Sequence, residues 1–356
     1  MAAESKIKQC TIVLTRDCNL RCNFCYVKSA GYMAEDKISY ENLKKIVDFC
    51  SESKVKFIFF TGGEPLLYPH LIEILQYIKG KQHSMMTAIA TNGVLLKDPT
   101  LCKNLIDSGV EYLDLSMKGT NSQEWCEATG YDGFDQELQA IRNLSVLPVE
   151  FTCSMVVTHD NVFTICDAVK IAHDNGARQF SFTFVIDNED IEEKDQVYLE
   201  KHNPFALVSA FISQIDRLNT IAEDWWIEYS FPMCVYTEEQ LSLLEGRLAT
   251  PCQIHMKNAV TFNTKMELLP CDMYINQKMG QLGTDFSSYH EFEKLTELPA
   301  YRCVMEALRE RPSCECTACR YLESCYGGCP VLWKHYSFEA LKAFKERARA
   351  THWKET

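Results

Sequence analysis

The residues best suited to chemistry sit near the start of the chain, in Thr15-Arg-Asp-Cys18-Asn-Leu-Arg-Cys22-Asn-Phe24-Cys25-Tyr26. Three cysteines on a loop directly after a predicted strand can bring their thiolates to one metal centre. A zinc site would want a fourth local ligand, and no further His or Cys lies close by. A ferredoxin-type four-iron cluster also expects four cysteines. Three ligands on such a cluster leave one iron open, which suits binding and activating a small molecule.

After the next predicted strand comes Thr61-Gly62-Gly63-Glu64-Pro65. Two glycines let backbone approach a ligand closely, and Glu64 can accept a hydrogen bond from a ligand ammonium. Far along the chain, Cys316, Cys319, Cys325 and Cys329 form a tight run preceded by Cys252 and Cys271. Clustered thiols of this kind suggest metal, and zinc could use the set. Pro270-Cys271-Asp272 puts a carboxylate beside one of them, either as a general base or as an acceptor for the surrounding loop. Cys10, Cys50, Cys102, Cys126, Cys153 and Cys166 read as small buried apolar residues.

These residues need a scaffold. To about residue 220, strand-like runs (Thr11–Thr15, Lys56–Phe60, Thr87–Ala90, Tyr112–Ser116, Glu150–Val157 and Gln179–Phe184) alternate with helical patterns such as Tyr40–Ser53, Pro69–Lys79, Pro99–Ser108 and Asn161–Asn175. In Tyr40–Ser53, Leu43, Ile46, Val47 and Cys50 share one face, the spacing of a core-facing stripe. Repeated strand-then-helix units imply parallel strands with right-handed crossovers. The expectation is an α/β fold, a partial (β/α)6 barrel whose chemistry lies at the C-terminal ends of its strands. After a connecting helix, Phe205–Leu218, periodicity weakens near residue 235 and cysteines become dense. That segment is expected to fold around metal and to bury little core of its own. The division is therefore 1–235 for the barrel, 236–335 for the cysteine-rich part and 336–356 for a terminal helix.

Charge and composition exclude several classes. With 36 basic against 49 acidic residues the net charge is −13, opposite to what a phosphate-tracking nucleic-acid binder needs. Met1–Cys10 carries no basic-then-apolar signal, and no apolar run reaches about 18 residues. The chain reads as cytoplasmic, with no membrane segment and reduced thiols.

The first cysteine group, with Gly62 to Pro65 after the second strand, resembles the signature of the radical S-adenosylmethionine superfamily. The resemblance implies a 4Fe-4S cluster on Cys18, Cys22 and Cys25 whose open iron is chelated by the amino and carboxylate groups of S-adenosyl-L-methionine. It implies Phe24 packing near the adenine and a backbone role at Tyr26. Gly62, Gly63, Glu64 and Pro65 would hold the methionine amino group, with Asn92 and Ser116 facing the ligand. Many relatives carry an acidic residue after the fourth strand; Lys118 stands there instead and reads as an exposed loop lysine.

The C-terminal group resembles the SPASM extension of the same enzymes, an iron–sulfur domain with one or two auxiliary 4Fe-4S clusters. The resemblance implies one cluster on Cys252, Cys271 and Cys329 and a second on Cys316, Cys319 and Cys325. Each lacks a fourth ligand. Cys303 and Cys314 are the candidates for the second, Cys314 being two residues before the run. Cys234 is the candidate for the first, unless that cluster keeps an open iron.

The implied activity is reductive cleavage of S-adenosylmethionine to a 5′-deoxyadenosyl radical that abstracts hydrogen from a peptide or protein side chain. Cross-linking of a ribosomal peptide leads. Formylglycine formation follows, because sulfatase-maturating relatives place a general-base aspartate where Asp272 stands. Peptide epimerisation with Cys234 as hydrogen donor comes third. A non-catalytic iron–sulfur or zinc protein is the reading from a different class. The implied partners are a peptide or protein substrate and a reductant such as flavodoxin or ferredoxin. Only 17 residues precede Cys18, so peptide binding is expected to fall to the barrel or to a separate leader-peptide-binding protein. The negative charge favours a substrate of basic character.

Overall fold

A computed structural model describes residues 6–28, 31–187, 192–228, 231–249 and 252–352. Its centre is a ten-stranded sheet. The strands are β1 (Gln9–Val13), β2 (Phe57–Thr61), β3 (Met86–Thr91), β4 (Tyr112–Met117), β5 (Glu150–Val157), β6 (Gln179–Phe184), β7 (Asp224–Ile227), β8 (Ala259–Phe262), β9 (Glu267–Leu269) and β10 (Gly280–Gln281). Their spatial order is β10-β9-β8-β1-β2-β3-β4-β5-β6-β7. From β8 to β7 every pairing is parallel, and only β9 and β10 run antiparallel.

The crossovers form where helix ends and apolar stripes agree. In α1 (Tyr40–Glu52), Ser39 caps the start through the Asn42 amide, and Leu43, Ile46, Val47 and Cys50 are buried on the expected face. In α2 (Leu71–Lys79), Leu71, Ile74, Leu75 and Ile78 are buried. In α3 (Pro99–Ser108), Asp98 caps, Pro99 occupies the first turn and Gly109 ends the helix, the usual asymmetry of helix termini. The six expected strands all form, and the α/β partial barrel stands.

The sheet is wider than the sequence suggested. β7 is a four-residue strand, Asp-Trp-Trp-Ile, too short to show a period. The connecting helix is two helices, Pro204–Ile212 and Ile215–Ile221. The cysteine-rich part shares the barrel's core, and its separate apolar cluster is small, built on Ile254, Tyr274, Met305, Leu308 and Val331. β8 pairs with the free edge of β1, and Phe262 and Phe286 pack edge-on to Phe49 with ring centroids 5.9 and 5.5 Å apart. Aromatic pairs at this spacing add to the burial of their area. Of the cysteines read as apolar filling, Cys10, Cys50, Cys102, Cys153 and Cys166 are buried, whereas Cys126 is exposed. Among the described residues no helix is long and apolar enough to cross a membrane.

Candidate active site

Beyond β1 the chain continues as an extended segment. The Leu14 amide donates to the Thr61 carbonyl at 2.9 Å, and Thr15–Arg16 pairs with Met33–Lys37. The Gly63 amide then donates to Thr15 O and the Glu64 amide to Asp17 O, both at 2.8 Å. A Cβ on Gly62 would stand 2.4 Å from Thr15 O, and one on Gly63 2.1 Å from Asp17 O. Gly62 also has φ +147, which side chains disfavour. The two glycines therefore make room first for the base of the cysteine loop.

Glu64 is buried and its carboxylate is occupied by the chain itself. Oε1 accepts from the Leu66 amide at 3.0 Å and the Thr91 hydroxyl at 2.7 Å, and Oε2 accepts from the Asn92 amide at 2.8 Å. Burial pushes its pKa up, and these donors pull it back. Asn92 extends the network, donating to Asn19 Oδ1 at 2.8 Å inside the cysteine loop. The ends of β2 and β3 are thus tied to one loop, and Pro65 opens the short turn Pro65–Leu67 behind them.

The loop is clamped from its other side by the helix Ser122–Thr129: Arg21 N donates to Thr129 O and Asn23 N to Ala128 O. Leu20, Val94 and Trp125 form an apolar cluster on which Cys18 and Cys22 rest. Burial pushes the Cys18 thiol up to about 12; the Leu20 amide, 3.4 Å from its sulfur, opposes this, while Glu64, Cys22 and Cys25 add to it. A cationic centre bound by these thiols would draw off their protons.

Phe24 and Ser116 meet at Lys118. The Lys118 ammonium donates to Ser116 Oγ and lies 5.3 Å from the Phe24 ring centroid. Lys118 is only 8% exposed, so the expectation of an exposed loop lysine is wrong. Its position, two residues beyond Ser116 on the strand end, carries it back over the site. Asp114, on the same strand, is another residue the sequence did not flag. Its Oδ1 is buried without a partner, and burial pushes its pKa up to about 6.

Tyr26 and Asp272 join the cysteine loop to the C-terminal part. The Tyr26 hydroxyl donates to Asp272 Oδ2 at 2.9 Å, and both residues line a cleft of about 290 Å³ with Gly62 and Gly63. Burial pushes the Asp272 carboxyl up, and the Tyr26 bond pulls it down. Cys252, Cys271 and Cys329 gather beside Asp272 against the apolar cluster of Ile254, Tyr274 and Val331. Their thiols are raised by burial; repulsion from Asp272, Cys329 and Cys252 adds to the shift of Cys271.

Cys316, Cys319 and Cys325 line a separate cavity of about 180 Å³, and Cys234 lines it with them. Burial, then the neighbouring Cys325, pushes the Cys234 thiol up to about 12. Cys303 and Cys314 are exposed, as are Cys234 and Cys319, but neither Cys303 nor Cys314 lines this cavity. Among the described residues no three His, Cys, Asp or Glu side chains close on a point able to hold a single ion. A wider recess of about 830 Å³ opens at the opposite end of the strands, by Met86, Glu111 and Glu150, and holds none of these residues.

The model of the Radical SAM superfamily matches residues 12–199, more than half of the chain. The chain belongs to the radical SAM superfamily. Its cofactors are accordingly a 4Fe-4S cluster and S-adenosylmethionine, and the clustered thiols of the first loop fit the cluster. This radical SAM protein is 28% identical over 185 residues to the AdoMet-dependent heme synthase of Methanosarcina barkeri, covering 52% of each chain. It is 31% identical over 178 residues to the antilisterial bacteriocin subtilosin biosynthesis protein AlbA of Bacillus subtilis, covering 50% of this chain and 39% of that one. The chain spans about half the length of the curated relatives it matches, or less. In structure it is similar to anSMEcpe with bound AdoMet, at TM-score 0.70 and 18% identity over 96% of this chain and 93% of that one. It is also similar to Streptococcus suis SuiB bound to the precursor peptide SuiA, at TM-score 0.69 and 17% identity over 93% and 74%. These two show a shared fold that takes in the cysteine-rich part.

Proposed function

We propose that this radical SAM protein is an enzyme that oxidises a side chain of a peptide or protein, forming a cross-link in a ribosomally made peptide. The observation that carries the reading is the Tyr26–Asp272 bond, which sets a half-buried carboxylate between the first cysteine loop and the Cys252, Cys271 and Cys329 group. The bound peptides in two kinds of structure sharing the fold support a peptide substrate, as does a relative named for bacteriocin biosynthesis.

With Cys18, Cys22 and Cys25 as ligands, and the two C-terminal groups as auxiliary ligands, the clusters and S-adenosylmethionine supply a carbon-centred radical and an acceptor for the electron that follows. The chain's own residues do the rest. Gly62, Gly63, Glu64 and Asn92 hold the loop and the strand ends at one fixed spacing, with Pro65 behind them. Phe24 offers a ring face to the ligand, and Ser116 and Lys118 offer a hydroxyl and a cation to its carboxylate. A substrate carbon that has lost a hydrogen atom must lose one more electron and a proton to close a new bond. Asp272 is placed to take the proton.

The same carboxylate favours formylglycine formation as a second reading, since that oxidation also needs a base. The enzyme would act in the cytoplasm with flavodoxin or ferredoxin as reductant, and with a leader-binding partner if the barrel alone does not hold the peptide.

The test is anaerobic. Reduced, iron-loaded protein should form 5′-deoxyadenosine from S-adenosylmethionine, and its absence would sink the enzyme reading. With candidate peptides, a product short of two hydrogens and resistant to sequencing through the modified residues marks a cross-link. An aldehyde trapped by a hydrazine marks formylglycine.

A further inference from the structure

We propose that Cys234 is the fourth ligand of the cluster on Cys316, Cys319 and Cys325, taking the place that neighbouring cysteines in the sequence were expected to fill. The inference rests on the auxiliary-cluster part of the proposed function and adds a ligand to it.

Three observations carry it. All four sulfur residues line the same cavity, walled by Met233, Leu322, Trp333 and Phe338. Apolar walls of that kind limit solvent access to a cluster held between them. The turn Met233–Val235 that carries Cys234 is also tied to the run itself, for the Met233 amide donates to Cys325 Sγ at 3.4 Å. Finally, the contact is made by a glycine. Gly328, at φ +86, would place a Cβ 2.9 Å from Pro232 Cβ and 3.2 Å from Pro232 Cα. The Cys325–Cys329 turn is therefore built to seat against the segment bearing Cys234. From the far side, Lys345 on the terminal helix donates to the Cys234 carbonyl.

Helix geometry explains why Cys314 falls outside. Cys314–Ala318 is a 3-10 turn closed by Cys319. In a three-residue turn, positions three apart share a face and positions two apart do not. Cys316 and Cys319, which lies just past the turn, line the cavity, and Cys314, two positions before Cys316, does not.

The test uses the full chain, isolated and reconstituted anaerobically. Iron and sulfide counts and low-temperature EPR are compared for wild type, Cys234→Ser, Cys314→Ser and Cys303→Ser. Cys234→Ser should lose roughly four irons per chain or keep them with an altered EPR signal from oxygen ligation, while the other two match wild type. An unchanged count and signal in Cys234→Ser overturns the inference. Because serine in this turn could cost folding, alkylation of the wild-type holoprotein, mapped by mass spectrometry, gives a second measurement. Cys303 and Cys314 should label at once, and Cys234 only after a chelator strips the iron. If Cys234 labels in iron-loaded protein, the inference fails. A wild-type count of only roughly four irons would instead fail the auxiliary-cluster reading itself.

Discussion

The hydroxyl of Tyr26 donates to Asp272 Oδ2 at 2.9 Å, across 246 positions of sequence. One bond thus links the loop of Cys18, Cys22 and Cys25 to the loop of Cys271. Each partner follows a cysteine directly, so the bond fixes how the two sulfur groups face each other.

The bond predicts a pH effect. Tyr26 lowers a carboxyl that burial raises, so Tyr26→Phe should raise the Asp272 pKa further. If Asp272 is the base, the acid limb of product formation moves to higher pH by roughly one unit, with 5′-deoxyadenosine formation and iron content unchanged. Asp272→Asn should cut product formation by roughly 100-fold or more while S-adenosylmethionine is still cleaved. A limb that stays put in Tyr26→Phe removes Asp272 from catalysis.

Gly63→Ala should separate the glycine pair's two roles. The added methyl would meet Asp17 O at 2.1 Å, a backbone atom unable to step aside without moving Cys18. Overpacking of this kind costs about 1–3 kcal/mol or more. The variant should melt at lower temperature and bind roughly four irons fewer. Full iron content with weak S-adenosylmethionine binding would show that the glycines serve the ligand alone.

Lys118→Met keeps the apolar stem over Phe24 and removes the ammonium. S-adenosylmethionine binding should weaken about tenfold, in line with one lost charge-assisted contact of about 1.5 kcal/mol, with iron content retained. Equilibrium dialysis with labelled cofactor reads this out. Unchanged affinity would assign Lys118 to Ser116 alone.

Glu137 predicts a pH dependence of stability. It is 2% exposed, one oxygen accepts from Trp125 Nε1 at 3.1 Å, and the other has no partner. Burial raises its pKa from 4.5 to about 8, with Trp125 opposing. The folded state therefore keeps a proton that the unfolded state has released. That stability is fully present below about 4.5 and is lost as pH rises towards 8. Glu137→Gln keeps an acceptor for Trp125 and cannot ionise. Chemical denaturation should find it equal to wild type near pH 4.5 and about 1–4 kcal/mol more stable near pH 8. Parallel pH profiles of the two proteins would contradict the assignment.

Much of the scaffold was legible because periodicity is local. The stripe in α1, the extent of α3 and the six principal strands depend on neighbours within a few positions. β7 escaped because four residues hold no period, and β8 because its partner β1 lies some 250 positions upstream. Lys118 was misjudged for a related reason. A lysine after a strand reads as solvated, and only the closing of the barrel puts it under cover beside Phe24.

By itself, sequence placed together the thiols that lie within a few residues: Cys18 with Cys22 and Cys25, and the run Cys316, Cys319, Cys325 and Cys329. Spacing along a loop or turn constrains which sulfurs can meet. Tertiary structure alone decided the contacts made across the chain: Tyr26 with Asp272, Glu64 with Asn92, and Cys234 at the cavity of Cys316, Cys319 and Cys325. Such contacts depend on how strands pair and where loops close. Sequence distance carries almost no information about either, since closing a longer loop costs only slightly more entropy than closing a shorter one.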